Sequence, residues 1–246
     1  MPFGLEMWQA AFMAAALFAA AFVRGYSGFG FAALAVSSAA LVTNPLHFVP
    51  VVLIADFAMT AQQARDIRPD IDWRRVGALS AGAVAGVPLG VWVLSSVGVD
   101  QVRLFLSLYI LAMCALLLAG LSLSRPAGMA AHGGVGVVSG IANGAAVGGL
   151  PVAVFFAAQP IAPAVFRATL IAYFTLLDFM TVPALWAAGF VTRETVVAAL
   201  MAAPFLAAGI WAGGRAFRRG NPQGFRRFAI GVLAVLATIG LVQTVF

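Results

Sequence analysis

Long apolar runs, each closed by glycine, proline or a short polar cluster, succeed one another along the whole 246-residue chain. They predict helical segments at 8–23, 29–42, 46–64, 76–96, 102–121, 133–142, 147–158, 164–188, 195–217 and 228–245. Most approach the roughly 20 residues that cross a hydrocarbon core. The segments 29–42, 133–142 and 147–158 fall short, and each adjoins a glycine-rich break. The first run has no basic leader or cleavage site, so it is expected to stay in the mature protein.

The pattern repeats. "IADFAMT" (54–60) echoes "LLDFMT" (176–181), "GVW" (90–92) echoes "GIW" (209–211), and "VRLFL" (102–106) echoes "FRRFA" (225–229). "RGYSGFGF" stands where "SGIANGAAVGG" stands in the second half, each before a short apolar segment and a proline-marked turn. The shared order predicts a single transmembrane domain, 1–246, built from two repeats, 1–121 and 132–246, of five segments each. An odd number of segments inserts the second copy upside down. The 65–75 loop carries four arginines and the 215–227 loop five, whereas the loops around Arg103 and Arg193 carry one each beside an acid. The positive-inside rule puts the two rich loops in the cytoplasm, and both termini outside. The expected fold is an all-α polytopic membrane protein, an inverted repeat with broken helices near the midplane, an architecture of secondary transporters.

Composition sharpens this picture. Hydrophobic residues make up 63% of the chain and charged residues 9%, with mean hydropathy +1.03. Such a chain is a lipid-embedded protein, not a soluble domain. Every basic residue is arginine. The net charge of +6 belongs to loops at a membrane surface, so no nucleic-acid partner is expected. The lone Cys114 excludes an internal disulfide and reads as a small core residue. There is no Walker A run, no Cys/His cluster, and no call for a cofactor or resident metal.

Ionisable residues inside apolar segments are functional candidates by default, because a charge in hydrocarbon costs several kcal/mol unless paired or wetted. Arg24 and Arg167 offer fixed charge and a planar fork of donors suited to oxyanions. Arg24 adjoins Gly25, Ser27, Gly28 and Gly30, a break that opens a helix near Phe29. A helix N-terminus presents free N–H groups to an anion, and glycine lets backbone approach it closely. Asn143, Gly144, Gly148 and Gly149 offer the same device in the second half. The other reading of these glycines is close helix packing. Asp56 and Asp178 hold equivalent positions, as coupling groups or as structural charges that neutralise an arginine. Arg167 and Asp178 are eleven residues apart, about 16 Å along one helix face, and are expected to look into one cavity. His47 follows a turn and reads as a surface or capping residue.

Two other functions fit parts of the sequence. "GYSG" (25–28) with "AHGGVG" (131–136) offers Ser27 and His132 as the nucleophile and base of an intramembrane serine protease, but a four-residue match among 26 glycines is cheap. Asp56 and Asp178 could serve a divalent cation transporter, against which two intramembrane arginines argue.

In its length, its two halves, the early "GYSGFGFA", the later "SGIANGAAVGGLP" and "FRATLIAYF" (166–174), the chain resembles the TauE/SafE family of bacterial membrane transporters, also called the 4-toluene sulfonate uptake permease family. It departs in having "GFGF" in place of consecutive glycines. The resemblance implies no enzyme but a transporter of sulfite, thiosulfate or organosulfonates such as sulfoacetate, in the bacterial inner membrane, importing or exporting. Expected partners are a small anionic substrate and the lipid bilayer.

Overall fold

The structure, a computed structural model, describes residues 2–219 together with Gly231, Ala234 and Thr238. Most of the expected segment 228–245, with Arg226 and Arg227, lies outside the described residues. The described elements are helical: α1 (Met7–Ser27), α2 (Phe31–Val42), α3 (Pro45–Ile67), α4 (Trp73–Ser96), α5 (Val99–Leu118), α6 (Met129–Asn143), α7 (Gly149–Ala157), α8 (Pro163–Ala187) and α9 (Arg193–Arg219). Six of them, α1, α3, α4, α5, α8 and α9, are long and apolar enough to cross a membrane. The short ones are α2, α6 and α7, as the sequence predicts.

Local chemistry sets the ends. Asn44 caps α3 by accepting from the Leu46 N–H at 3.0 Å, and Pro45 supplies a first helical residue that has no N–H to satisfy. Asp72 caps α4 through the Arg75 N–H at 3.1 Å. Gly28 and Gly30 have φ of 83° and 92°, a left-handed backbone that a side chain makes costly. They end α1 and restart the chain as α2. The break therefore falls later than expected: Arg24 and Gly25 lie within α1, and α2 begins at Phe31.

A few contacts fix the helix directions. Near the chain start, the Phe3 N–H donates to Glu194 at 2.6 Å, joining the beginnings of α1 and α9. At the opposite end Arg218 pairs with Asp66 at 3.2 Å, bringing the two arginine-rich segments together. The Gln9 side chain reaches the Val42 carbonyl at 2.8 Å, so α2 runs back beside α1 toward the end where α1 begins. On the arginine-rich side, α7 returns beside α6, and the Leu123 N–H donates to the Ala158 carbonyl at 2.6 Å. Thus α2 and α7 are half-length arms that approach the centre from opposite sides.

Packing is closest where glycines meet. On α4, Gly82, Gly86 and Gly90 sit four residues apart against the backbone of α6, and Gly136 and Gly140 of α6 answer them, with Gly144 just past its end. On the other flank Gly25 of α1 lies against Ile210, Gly213 and Gly214 of α9. Such seams replace side-chain interdigitation with backbone contact, the usual way to join helices where the hydrophobic effect is absent. Between the two seams α3 and α8 pack on each other. Trp92, Trp186 and Trp211 project outward, as lipid-facing side chains do.

Candidate functional site

The centre of the molecule is a small cavity of about 40 Å³ where four polar side chains converge: Arg24, Asp56, Asn143 and Asp178. All four are buried. Arg24 on α1 meets Asp56 on α3 through both guanidinium ends, Nη1 at 2.6 Å and Nη2 at 2.7 Å. Its Nη2 also donates to Thr60 at 3.0 Å. The second half has a parallel arrangement. Asn143 on α6 donates to Asp178 on α8 at 3.1 Å and to Thr181 at 2.9 Å. The Asp56 and Asp178 carboxyls, on α3 and α8, both line this cavity. Each half thus supplies one polar group from its broken helix, one aspartate, and a threonine a turn further along.

The cavity wall is completed by the first turns of the two half-helices. Gly30, Phe31, Ala32 and Ala33 come from α2, and Ala146, Val147, Gly149 and Leu150 from the approach to α7. In α2 the first bond back along the chain is from Leu34 to Gly30, so the N–H groups before it have no partner within the helix. Ala146 has φ of 59°, a strained value for a residue with a side chain. Two helix N-termini at one cavity contribute roughly half a positive charge each.

The predicted residues divide between this cavity and a second one. Arg167 does not share the Asp178 cavity. It lines a vestibule of about 340 Å³ with Tyr26, Ser27, Gln159, Phe166 and Phe217. The Arg167 Nε and Nη2 donate to the Gly25 carbonyl at 3.1 and 2.8 Å, and its guanidinium lies over the Phe217 ring at 4.8 Å. Gly28 joins the two regions: a Cβ there would meet Arg167 at 3.0 Å. Gly25 and Gly144 sit in helix seams and outside both cavities. Gly148 packs on Ser139 and Asn143, whose positions it fixes, and Gly149 on Phe174.

The other candidates are tied up locally. Ser27 Oγ lies 2.8 Å from the Val23 carbonyl and 3.0 Å from that of Phe29. His132 is buried, with Nδ1 2.9 Å from the Gly128 carbonyl and Phe155 and Phe156 edge-on to its ring. No hydrogen bond joins Ser27 to His132 among the described residues, so the protease pairing has no support. Nor is there, among the described residues, a group of three or more His, Cys, Asp or Glu able to hold a metal ion. His47 stacks on Phe3 at 4.9 Å. Thr60, Thr181 and Tyr173 are additions that sequence reasoning missed, the last donating to Ser139 at 2.9 Å.

In comparisons with known proteins, residues 12–239 match the family described as Sulfite exporter TauE/SafE. No curated protein and no solved structure matches the chain.

Proposed function

The chain belongs to the TauE/SafE family of membrane transporters, and on that premise we propose that it carries small sulfur-containing oxyanions across the bacterial inner membrane. The candidates are sulfite, thiosulfate and organosulfonates. The observation that carries the reading is the central cavity, where the N-terminal turns of α2 and α7 meet beside Arg24 and Asn143. Irregular backbone at membrane depth is tolerated only where protein or a wet cavity satisfies it. Free N–H groups and a helix dipole then favour an anion.

The charges decide how such a site works. Arg24 is already neutralised by Asp56, so an incoming oxyanion competes with a carboxylate for the guanidinium. The two helix ends add about one positive charge together, and Asp178 opposes them. We read the cavity as close to balanced without substrate. An anion enters most readily when a carboxyl takes up a proton. Asp56 and Asp178 line the same cavity, and we read them as the groups that take up that proton as well as structural charges. The five-plus-five inverted repeat remains our reading of the duplication, with the arginine-rich end in the cytoplasm.

Uptake into liposomes decides the proposal. Purified protein should carry sulfite, thiosulfate or a sulfonate down an imposed gradient, and these anions should raise its thermal stability where divalent metals do not. Stabilisation by metals alone, with no anion flux, would sink it.

A further inference from the structure

The two intramembrane arginines do not have the same status. Arg24 is held by a carboxylate. Arg167, 8% exposed, has no carboxylate within ion-pair distance among the described residues. Among the described residues its one hydrogen-bond acceptor is the Gly25 carbonyl, which takes two of its five donors. Asp66 acts on it only from a distance and is itself paired with Arg218, so the guanidinium has no ion pair of its own and faces a cavity many times larger than the central one.

The vestibule walls are largely aromatic: Tyr26, Phe156, Phe166 and Phe217 line it together with Arg167 and Gln159, and of these rings Phe217 lies against the Arg167 guanidinium. Phe29 lies on the wall of the central cavity. It meets Phe166, on the wall of the vestibule, edge-on, with centroids 6.2 Å apart. This aromatic pair stands between the two spaces. Gly28, in left-handed backbone against Arg167, makes the α1–α2 break and the vestibule cation neighbours.

We infer that the vestibule is a second anion-binding station, with Arg167 holding the head group and the Phe29–Phe166 pair separating it from the central cavity. This rests on the transporter reading above. A guanidinium among aromatic walls suits an organic oxyanion with an apolar or aromatic body. An inorganic dianion fits poorly, because the rings return no hydrogen bonds for the water it sheds. The station lies at the arginine-rich end, so it is filled from the cytoplasm.

Alkylation rates of single cysteines test it, in full-length protein carrying Cys114→Ala. Ala157→Cys lies on the vestibule wall and Ala33→Cys on the central wall. Benzenesulfonate should slow maleimide labelling of Ala157→Cys by roughly tenfold or more, the scale of a charged hydrogen bond, and sulfate should slow it little. Arg167→Gln should remove the protection. Arg167→Lys, which keeps the charge without the fork, should weaken it, and serves if the Gln variant is not recovered. From the arginine-rich side, Ala33→Cys should label slowly and speed up in Phe166→Ala. Equal protection with and without Arg167, or protection by sulfate as strong as by benzenesulfonate, overturns the station. So does rapid labelling of Ala33→Cys with Phe166 in place. If flux of sulfur oxyanions is measured while protection is absent, the station fails and the transporter stands; if no anion moves in liposomes, the transporter reading itself has failed.

Discussion

At the residue scale, the Arg24–Asp56 pair governs stability and transport together. Removing one member leaves the other charged and dry, which costs about 3–5 kcal/mol in buried pairs. Asp56→Ala should therefore lower the melting temperature sharply and reduce recovery from the membrane. Arg24→Met with Asp56→Leu should regain most of that stability and still fail to transport, because its volume is kept and its charge is gone. A double variant that transports normally would show the pair to be scaffolding only. Asn143→Ala should be milder, losing two hydrogen bonds at about 0.5–1.5 kcal/mol each and leaving the Asp178 carboxyl under-satisfied; thermal melts would measure it. The sequence shows these charges as anomalies inside apolar runs. It does not show that Arg24 and Asp56, 32 residues apart, find each other, because that pairing is tertiary. The threonines were within reach: in "DFAMT" and "DFMT" a hydroxyl follows the acid by four and three residues, which puts both on one helix face.

At the element scale, glycines that look alike in sequence do two jobs. Gly28 and Gly30 hold left-handed backbone at the α1–α2 break. Gly86 and Gly140 hold helix axes together. Gly28→Val and Gly30→Val should reduce flux far more than they reduce expression, since they distort a break and not a seam. Gly86→Leu and Gly140→Leu should fail at assembly, seen as loss of monodisperse protein in detergent. Equal loss of expression in both pairs would remove the distinction. Ser27→Ala should be mild beside either, for its hydroxyl meets only backbone groups close by in the chain, the Val23 and Phe29 carbonyls and the Phe29 N–H. The breaks and short arms were legible because glycine and proline punctuate them. Which glycine turns and which packs was less so, although a spacing of four, as in Gly82, Gly86 and Gly90, is the mark of a seam.

At the scale of the whole molecule, orientation is the simplest prediction. In Cys114→Ala protein, a cysteine placed in the 68–72 turn should label from the cytoplasm, and one at Glu6 from outside; the reverse would invert the assignment of the vestibule. The crossing of the two halves of the chain was not legible in the sequence, which sets them one after the other. In space α1 of the first half is joined to α9 of the second, and α4 of the first to α6 of the second. Backbone laid directly on backbone has little room to slide, so each glycine seam behaves as a weld. The parts free to move against one another are then two welded bundles, each drawing on both halves of the chain, with α3 and α8 as the bearing between them. There the contact is side chain to side chain, as where Thr60 and Thr175 meet at 2.8 Å. A disulfide formed between Thr60→Cys and Thr175→Cys should lock that bearing and stop flux until reductant is added, while the fold on either side stays as it was.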